Sequence, residues 1–379
     1  MVASFFLLHT NKVKMMKRGA KSLDMEEISL FIHPKDLLYL KQNKWDDNGV
    51  PGVIRMDKKK IQADVMYRGS HTRKAKKKSY FIQYVRPSTY KHEKEFHLNA
   101  EYFDPSMIRN KLSFYFFEKI GVLAPEARYT FLSINGVPQG IYLRLESVND
   151  DFLKKRQLPK GAIFYAVDGD ANFSLYSDLD QTVKKSLTQG YELKYGKEEH
   201  FDRLEQFIFF INTASRAQFA QEIKHFLDVE QYLKWLAGVI CTQNYDGFVH
   251  NYALYLNEKT NLFSILPWDY DATWGIDVHG EAMEHDYVRV EGFNTLTARL
   301  IDIPRYKKLY KEILQETISR YFTENELKEV VFAYFEQVRQ YIKKDPYYRY
   351  PLNQFEEEPS KIFDFIAKRK NFIALHLAF

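Results

Sequence analysis

Asn244-Tyr-Asp-Gly-Phe-Val-His-Asn251 is followed by an apolar run at 252–256, a polar turn at 257–261, a second apolar run at 262–266 and then Pro267-Trp-Asp-Tyr-Asp271. The two runs are rich in aromatic and aliphatic residues and are separated by turn formers, which predicts a short β-hairpin. Upstream, Asp228 stands three residues before Gln231 in the spacing of a capping box, and Tyr232, Leu233, Leu236, Val239 and Ile240 then form one apolar face. The stretch therefore reads as a helix, a loop carrying Asp246 and Asn251, a hairpin, and Asp269 at the end of its second strand. Asp271 is expected on the same side as Asp269, because alternate strand residues point the same way.

That order of polar groups is the one phosphoryl-transfer enzymes of the kinase type use. Their catalytic loop carries an Asp that accepts or orients the acceptor hydroxyl and, five residues later, an Asn on a metal; a hairpin further on, a second Asp binds Mg²⁺. The chemistry requires hard oxygen ligands, since ATP brings several negative charges and Mg²⁺ is held by one or two carboxylates together with phosphates and waters. Asp246, Asn251, Asp269 and Asp271 are the candidate set. A single loop Asp is ordinarily a turn former; four such residues in this order are what the pattern adds. Trp268 is a core residue or an adenine-stacking face, and Tyr165, in the apolar run 162–167, is the candidate for the opposite wall.

Working outward, the basic counterpart is Tyr67-Arg-Gly-Ser-His-Thr-Arg-Lys-Ala-Lys-Lys-Lys-Ser-Tyr80. It lies between two predicted strands, 63–67 and 79–85, with Gly69 permitting a tight turn and backbone N–H groups available for phosphate. Arg68 and Lys78 are the candidate phosphate-binding residues; Lys74, Lys76 and Lys77 are expected to be exposed. Glu146 closes a predicted strand at 140–145 and is a candidate partner for a phosphate-binding lysine, for adenine or for ribose, or else an N-terminal helix charge.

The remainder of the chain frames an α+β fold. Strand at 29–33, helix at 34–42, helix at 105–120 and a hairpin through Asn135-Gly136 occupy the first part. Residues 1–28 are expected as a poorly ordered tail, 29–168 as a β-rich nucleotide-binding lobe, 169–198 as a linker or insertion, and 199–379 as a mainly helical catalytic lobe. The 379 residues include 45% hydrophobic and 16% aromatic residues, enough for a large core. With 55 basic against 50 acidic residues the net charge is only +5, which argues against a nucleic-acid partner. The single cysteine, Cys241, excludes an internal disulfide framework and a cysteine zinc site. The short apolar run at 2–8 lacks a basic segment before it, so neither a secretory signal nor a membrane span is expected, and synthesis in the cytoplasm is.

Arg68-Gly69-Ser70, Lys77-Lys78-Ser79-Tyr80, Arg109-Asn110-Lys111, the segment 142–146, Asn244 to Asn251 and Pro267-Trp-Asp-Tyr-Asp-Ala-Thr-Trp-Gly275 resemble the spore coat protein H (CotH) family, from about residue 30 to the C-terminus. The resemblance implies an atypical protein-kinase-like, two-lobed fold, with ATP and Mg²⁺ (Mn²⁺ as the alternative ion). It also implies autophosphorylation and phosphorylation of serine, or threonine, in coat proteins, supporting coat assembly and germination after synthesis in the mother-cell cytoplasm. By position, Asp246 resembles the catalytic aspartate, Asp269 the metal ligand, Asn251 a second ligand, and Trp268 with Tyr165 an adenine clamp. One glycine stands where ordinary kinases carry a Gly-rich series, and their His-Arg-Asp, Asp-Phe-Gly and Ala-Pro-Glu strings are missing. Two alternatives stand beside this reading: a nucleotide-binding coat scaffold without turnover, and a metal-dependent phosphohydrolase using Asp246, Asp269, His250 and His285.

Overall fold

The computed structural model describes residues 25–70 and 72–377. The expected tail lies outside the described residues except at 25–28, where the chain is already strand from Glu26. Seven strands close a barrel. They are β1 (Glu26–Ile32), β2 (Val50–Met56), β3 (Lys59–Arg68), β4 (Ser79–Arg86), β5 (Glu95–Asn99), β6 (Ala127–Ile134) and β7 (Val137–Glu146). Their order is β1-β2-β3-β4-β5-β7-β6, and the parallel pairing of β1 with β6 completes the ring. Alternation drives it: Ile28, Leu30, Ile32, Ile61, Ala63, Val65, Tyr80, Ile82 and Tyr84 point inward and share one apolar cluster. Asn135 and Gly136 turn the β6–β7 hairpin with positive φ at both positions, and the Asn135 side chain also pairs with the backbone of Ile32 at the end of β1.

A second sheet, in the order β11-β10-β8-β9, is built from β8 (Gly161–Ala166), β9 (Tyr191–Tyr195), β10 (Tyr252–Asn257) and β11 (Leu262–Pro267). The predicted hairpin is β10–β11. The expected boundaries shift here. β8 was placed with the N-terminal strands, yet it pairs with β10, and the supposed linker ends in β9, a strand of the same sheet.

The helices are α1 (Pro34–Gln42), which packs on β2 of the barrel, α2 (Arg109–Lys119), α3 (Asp150–Lys155), α4 (His200–Thr213), α5 (Arg216–Glu222), α6 (Val229–Thr242), which packs on β11 of the second sheet, α7 (Thr295–Ile301), α8 (Pro304–Glu316), α9 (Glu324–Ile342) and α10 (Leu352–His376). α2 begins four residues later than predicted: the Asp104 carboxylate accepts from the N–H groups of Ser106 and Arg109 and holds 105–108 in a turn instead. Asp228 caps α6 as expected, but Gln231 does not close a box. Its side chain pairs with the backbone of Ile265 in β11 and so fixes the helix against the hairpin. Gly238 lets α6 and α2 touch, since a Cβ there would lie 2.2 Å from the Phe117 ring. None of the helices among the described residues is long and apolar enough to cross a membrane.

Candidate active site

The loop after α6 is shaped before any ligand is considered. Gln243 takes a left-handed conformation that ends the helix, and the Asn244 Oδ1 accepts from the Gly247 N–H at 3.0 Å, drawing Asp246 into a one-turn helix over Asp246–Phe248. Asp246 is about one-third exposed, 3.9 Å from the His250 Nε2. Asn251 is left-handed (φ 58°), and its carbonyl accepts from the Trp268 N–H at 3.1 Å, so the end of the loop and the end of β11 are tied together.

The Pro-Trp-Asp-Tyr-Asp segment is anchored by its hydrophobic members. Tyr270 is fully buried edge-on to Phe117, its N–H donating to the Asn110 Oδ1 at 3.1 Å, and buried Trp274 donates through Nε1 to the Ser113 Oγ at 2.9 Å. β11 ends at Pro267, and Asp269 sits at φ 58°. Strand alternation therefore does not place Asp269 and Asp271; a loop pinned by Tyr270 and Trp274 does. Burial, then the charge of Asp269, pushes the Asp271 carboxyl up to about 7, and Asp246 adds to that rise, so both carboxylates lie within electrostatic reach of Asp271.

Arg68 joins this group. Its guanidinium lies over the Trp268 ring, 5.4 Å from the centroid, and donates to the Asn99 Oδ1; Asn99 in turn reaches Asp269 at 3.4 Å. Tyr165 also meets Trp268, with centroids 4.8 Å apart and planes 39° off parallel. The two rings thus pack on each other with no gap. A base between them needs two van der Waals layers of about 3.5 Å each, so it enters only if the rings part.

Two expected residues are employed elsewhere. The Lys78 ammonium folds back on the carbonyls of Arg73 and Ala75 within its own turn, whereas Lys77, expected to be exposed, is fully buried, donating to Asp345 at 2.8 Å and lying over the Tyr142 ring. Glu146 reaches neither: Arg156 grips both its oxygens at 3.1 and 2.8 Å, Lys155 lies 3.4 Å away, and the Glu126 N–H adds a further bond. It is a structural ion pair between β7 and the end of α3. His285 lies edge-on to Phe372, and its carbonyl accepts from Arg369.

The motif Arg109-Asn110 proves to be scaffold: Arg109 is buried between Asp104 (2.6 Å) and Glu358 (2.7 Å), and Asn110 bridges to Tyr270. A residue that the sequence reading passed over is Glu101. It is 3% exposed, and burial with the charges of Asp271, Asp104 and Asp269 drives its carboxyl well above the ordinary range. The one signal for it is a charged residue two positions after strand β5. Among the described residues no three His, Cys, Asp or Glu side chains already stand in a metal-binding arrangement. Oxygen-only donors around a buried, unneutralised carboxylate nevertheless fit a hard cation, for which one or two carboxylates suffice when phosphates and waters complete the shell.

Residues 65–373 match the family described as CotH kinase protein. The chain belongs to that family. It is similar to the inner spore coat protein H of Bacillus subtilis (strain 168), 50% identical over 349 residues, covering 92% of this chain and 96% of the relative. The inner spore coat protein H-like protein of the same organism is 32% identical over 286 residues, covering 76% and 81%. Among solved structures, the Shewanella oneidensis MR-1 toxin–antitoxin complex of HipA, HipB and operator DNA aligns over 93% of this chain and 72% of its own, at 12% identity and a TM-score of 0.37. That likeness is too slight to argue from. The matched residues 65–373 include the Asp246 loop, the Trp268 segment and Arg68.

Proposed function

We propose that this chain is an atypical, kinase-like phosphotransferase that moves the γ-phosphoryl group of ATP to serine, with threonine as the alternative acceptor, on spore coat proteins and on itself. The observation that carries the reading is the grouping of Asp246, Asp269, Asp271, Trp268 and Arg68 from three separate stretches of chain, in a member of a family described as a kinase. Asp246, partly exposed at the mouth of its loop, orients the acceptor hydroxyl and takes its proton. Asp269, Asn251 and Asp271 are the residues to hold divalent metal, which when bound supplies neutralisation of the phosphate charge. Arg68 leaves the Trp268 face to meet phosphate as the base stacks there, and the remaining catalysis is positioning and charge stabilisation. The coat is the proposed destination, as the names of both Bacillus relatives suggest.

The test is transfer of label from γ-labelled ATP to coat extract and to the chain alone. Asp246→Ala should lower phosphoprotein formation by about 10²–10⁴-fold, the usual contribution of a positioned acid–base group, with an unchanged circular dichroism spectrum. Wild-type activity in that variant removes Asp246 from its role. Free phosphate without phosphoprotein replaces the transferase by a hydrolase, and bound ATP without either product leaves a scaffold.

A further inference from the structure

Glu101 follows β5 by two residues and is 3% exposed. Its Oε1 accepts from the Asn110 Nδ2 at 3.0 Å, while its Oε2 is buried without a hydrogen-bond partner. The same Asn110 side chain accepts from the Tyr270 N–H at 3.1 Å, so a single amide spans from Glu101 to the residue lying between Asp269 and Asp271. Asn99, at the end of the same strand, reaches Asp269. Glu101 is therefore tied through Asn110 to the acidic loop, with one oxygen fixed and the other buried without a partner, within electrostatic reach of Asp271, Asp104 and Asp269. Arg109, eight residues on, is already bonded to Asp104 and Glu358. A buried carboxylate in such company requires either a proton or a cation.

We propose that Glu101 is a divalent-cation ligand supplied by the barrel, acting with Asp269 and Asp271 on metal that accompanies the nucleotide phosphates. This rests on the phosphoryl-transfer reading and adds a residue to it. Its consequence is mechanical as well as chemical. A cation shared across Asn110 cross-links the barrel to the loop after β11, so that metal loading fixes the barrel, with Arg68, relative to the acidic loop.

The experiment titrates Mn²⁺ into the full chain with a saturating non-hydrolysable ATP analogue, reading free Mn²⁺ by electron paramagnetic resonance and melting temperature alongside. Glu101→Gln keeps the Asn110 bond through its carbonyl. It should melt at or above the wild-type temperature without metal, yet bind Mn²⁺ about tenfold or more weakly and lose most of the metal-induced rise. Glu101→Asp, which keeps the charge but withdraws it, should also bind more weakly and carries the test should the Gln variant fail to fold. Equal Mn²⁺ affinity in wild type and the variant assigns Glu101 a proton and overturns this inference alone. A wild-type chain that takes up no Mn²⁺ overturns the phosphoryl-transfer reading with it.

Discussion

Asp271 titrates near neutrality because it is buried beside Asp269. In the folded chain its carboxyl holds a proton up to about pH 7, whereas in the unfolded chain it releases one near the ordinary aspartate value of 3.8. Between those limits the folded state binds more protons, so stability falls as pH rises, by at most roughly 1.4 kcal/mol per unit. Asp271→Asn has no such proton to lose. Without divalent cations, its stability relative to wild type should grow from about pH 4 to 7 and then level off, as read from urea midpoints; comparing the two proteins cancels buried groups such as His97. A difference that is flat with pH would mean that Asp271 is not the titrating group. At this scale the placements of Arg68 beside Trp268 and of Asp246 and Asp269 near Asp271 were readable from order and residue type. Lys77 and Lys78 were not. Tyr80, Ile82 and Tyr84 point inward in β4, and extending their alternation backwards favours Lys78, but residues 72–77 are turn and bend, so the period-2 rule lapses there and Lys77 is the one that turns inward. Glu101 carried no motif at all, because its character comes from neighbours some 170 positions away in the chain.

The elements that present the Asp246 loop depend on one close approach. α6 delivers that loop, and Gly238 allows it to lie against Phe117, whose ring also meets Tyr270 in the acidic segment. Gly238→Ala gains about 1 kcal/mol of helix propensity but forces the Phe117 ring to move, a strain of about 1–3 kcal/mol. The expected net result is a loss of up to about 2 kcal/mol in stability, with a larger proportional fall in phosphoryl transfer, since the displaced ring supports Tyr270. Melting temperature and turnover measured on the same preparation check this; unchanged turnover would separate the packing contact from the site. The helix, the hairpin through Asn135-Gly136 and β10–β11 were all legible, because their signals are local: an apolar period, a turn dipeptide, a cap. Barrel closure and the pairing of β8 with β10 were not, because strands at 161–166 and 252–257 share no local signal that names their partner.

On the scale of the whole chain, the barrel and the helical region are joined by buried charge. Lys77, from the turn before β4, donates to Asp345, which lies between α9 and α10; both side chains are fully buried. The same oxygen, Oδ2, also accepts from the N–H of Ile141 in the barrel, and Oδ1 accepts from the N–H of Tyr347. The join is tight: at Gly140 (φ 93°) an added Cβ would fall 2.1 Å from the Asp345 carboxyl carbon. Such a pair contributes little beyond what well-packed apolar residues would, but removing one partner strands the other. Lys77→Met should therefore cost about 3–5 kcal/mol, whereas Lys78→Met, losing only carbonyl contacts of its own turn, should cost roughly 1–2 kcal/mol. Joint replacement by Lys77→Met and Asp345→Leu should recover most of the loss, because no charge then remains unpaired. Hydrogen exchange distinguishes the join from a general loss of stability. In Lys77→Met the amides of Ile141 and Tyr347, which donate to Asp345, should lose protection before the barrel amides of β2 and β3 do. Uniform loss across the chain would mean that the pair is an ordinary core contact and that the two regions are held together elsewhere.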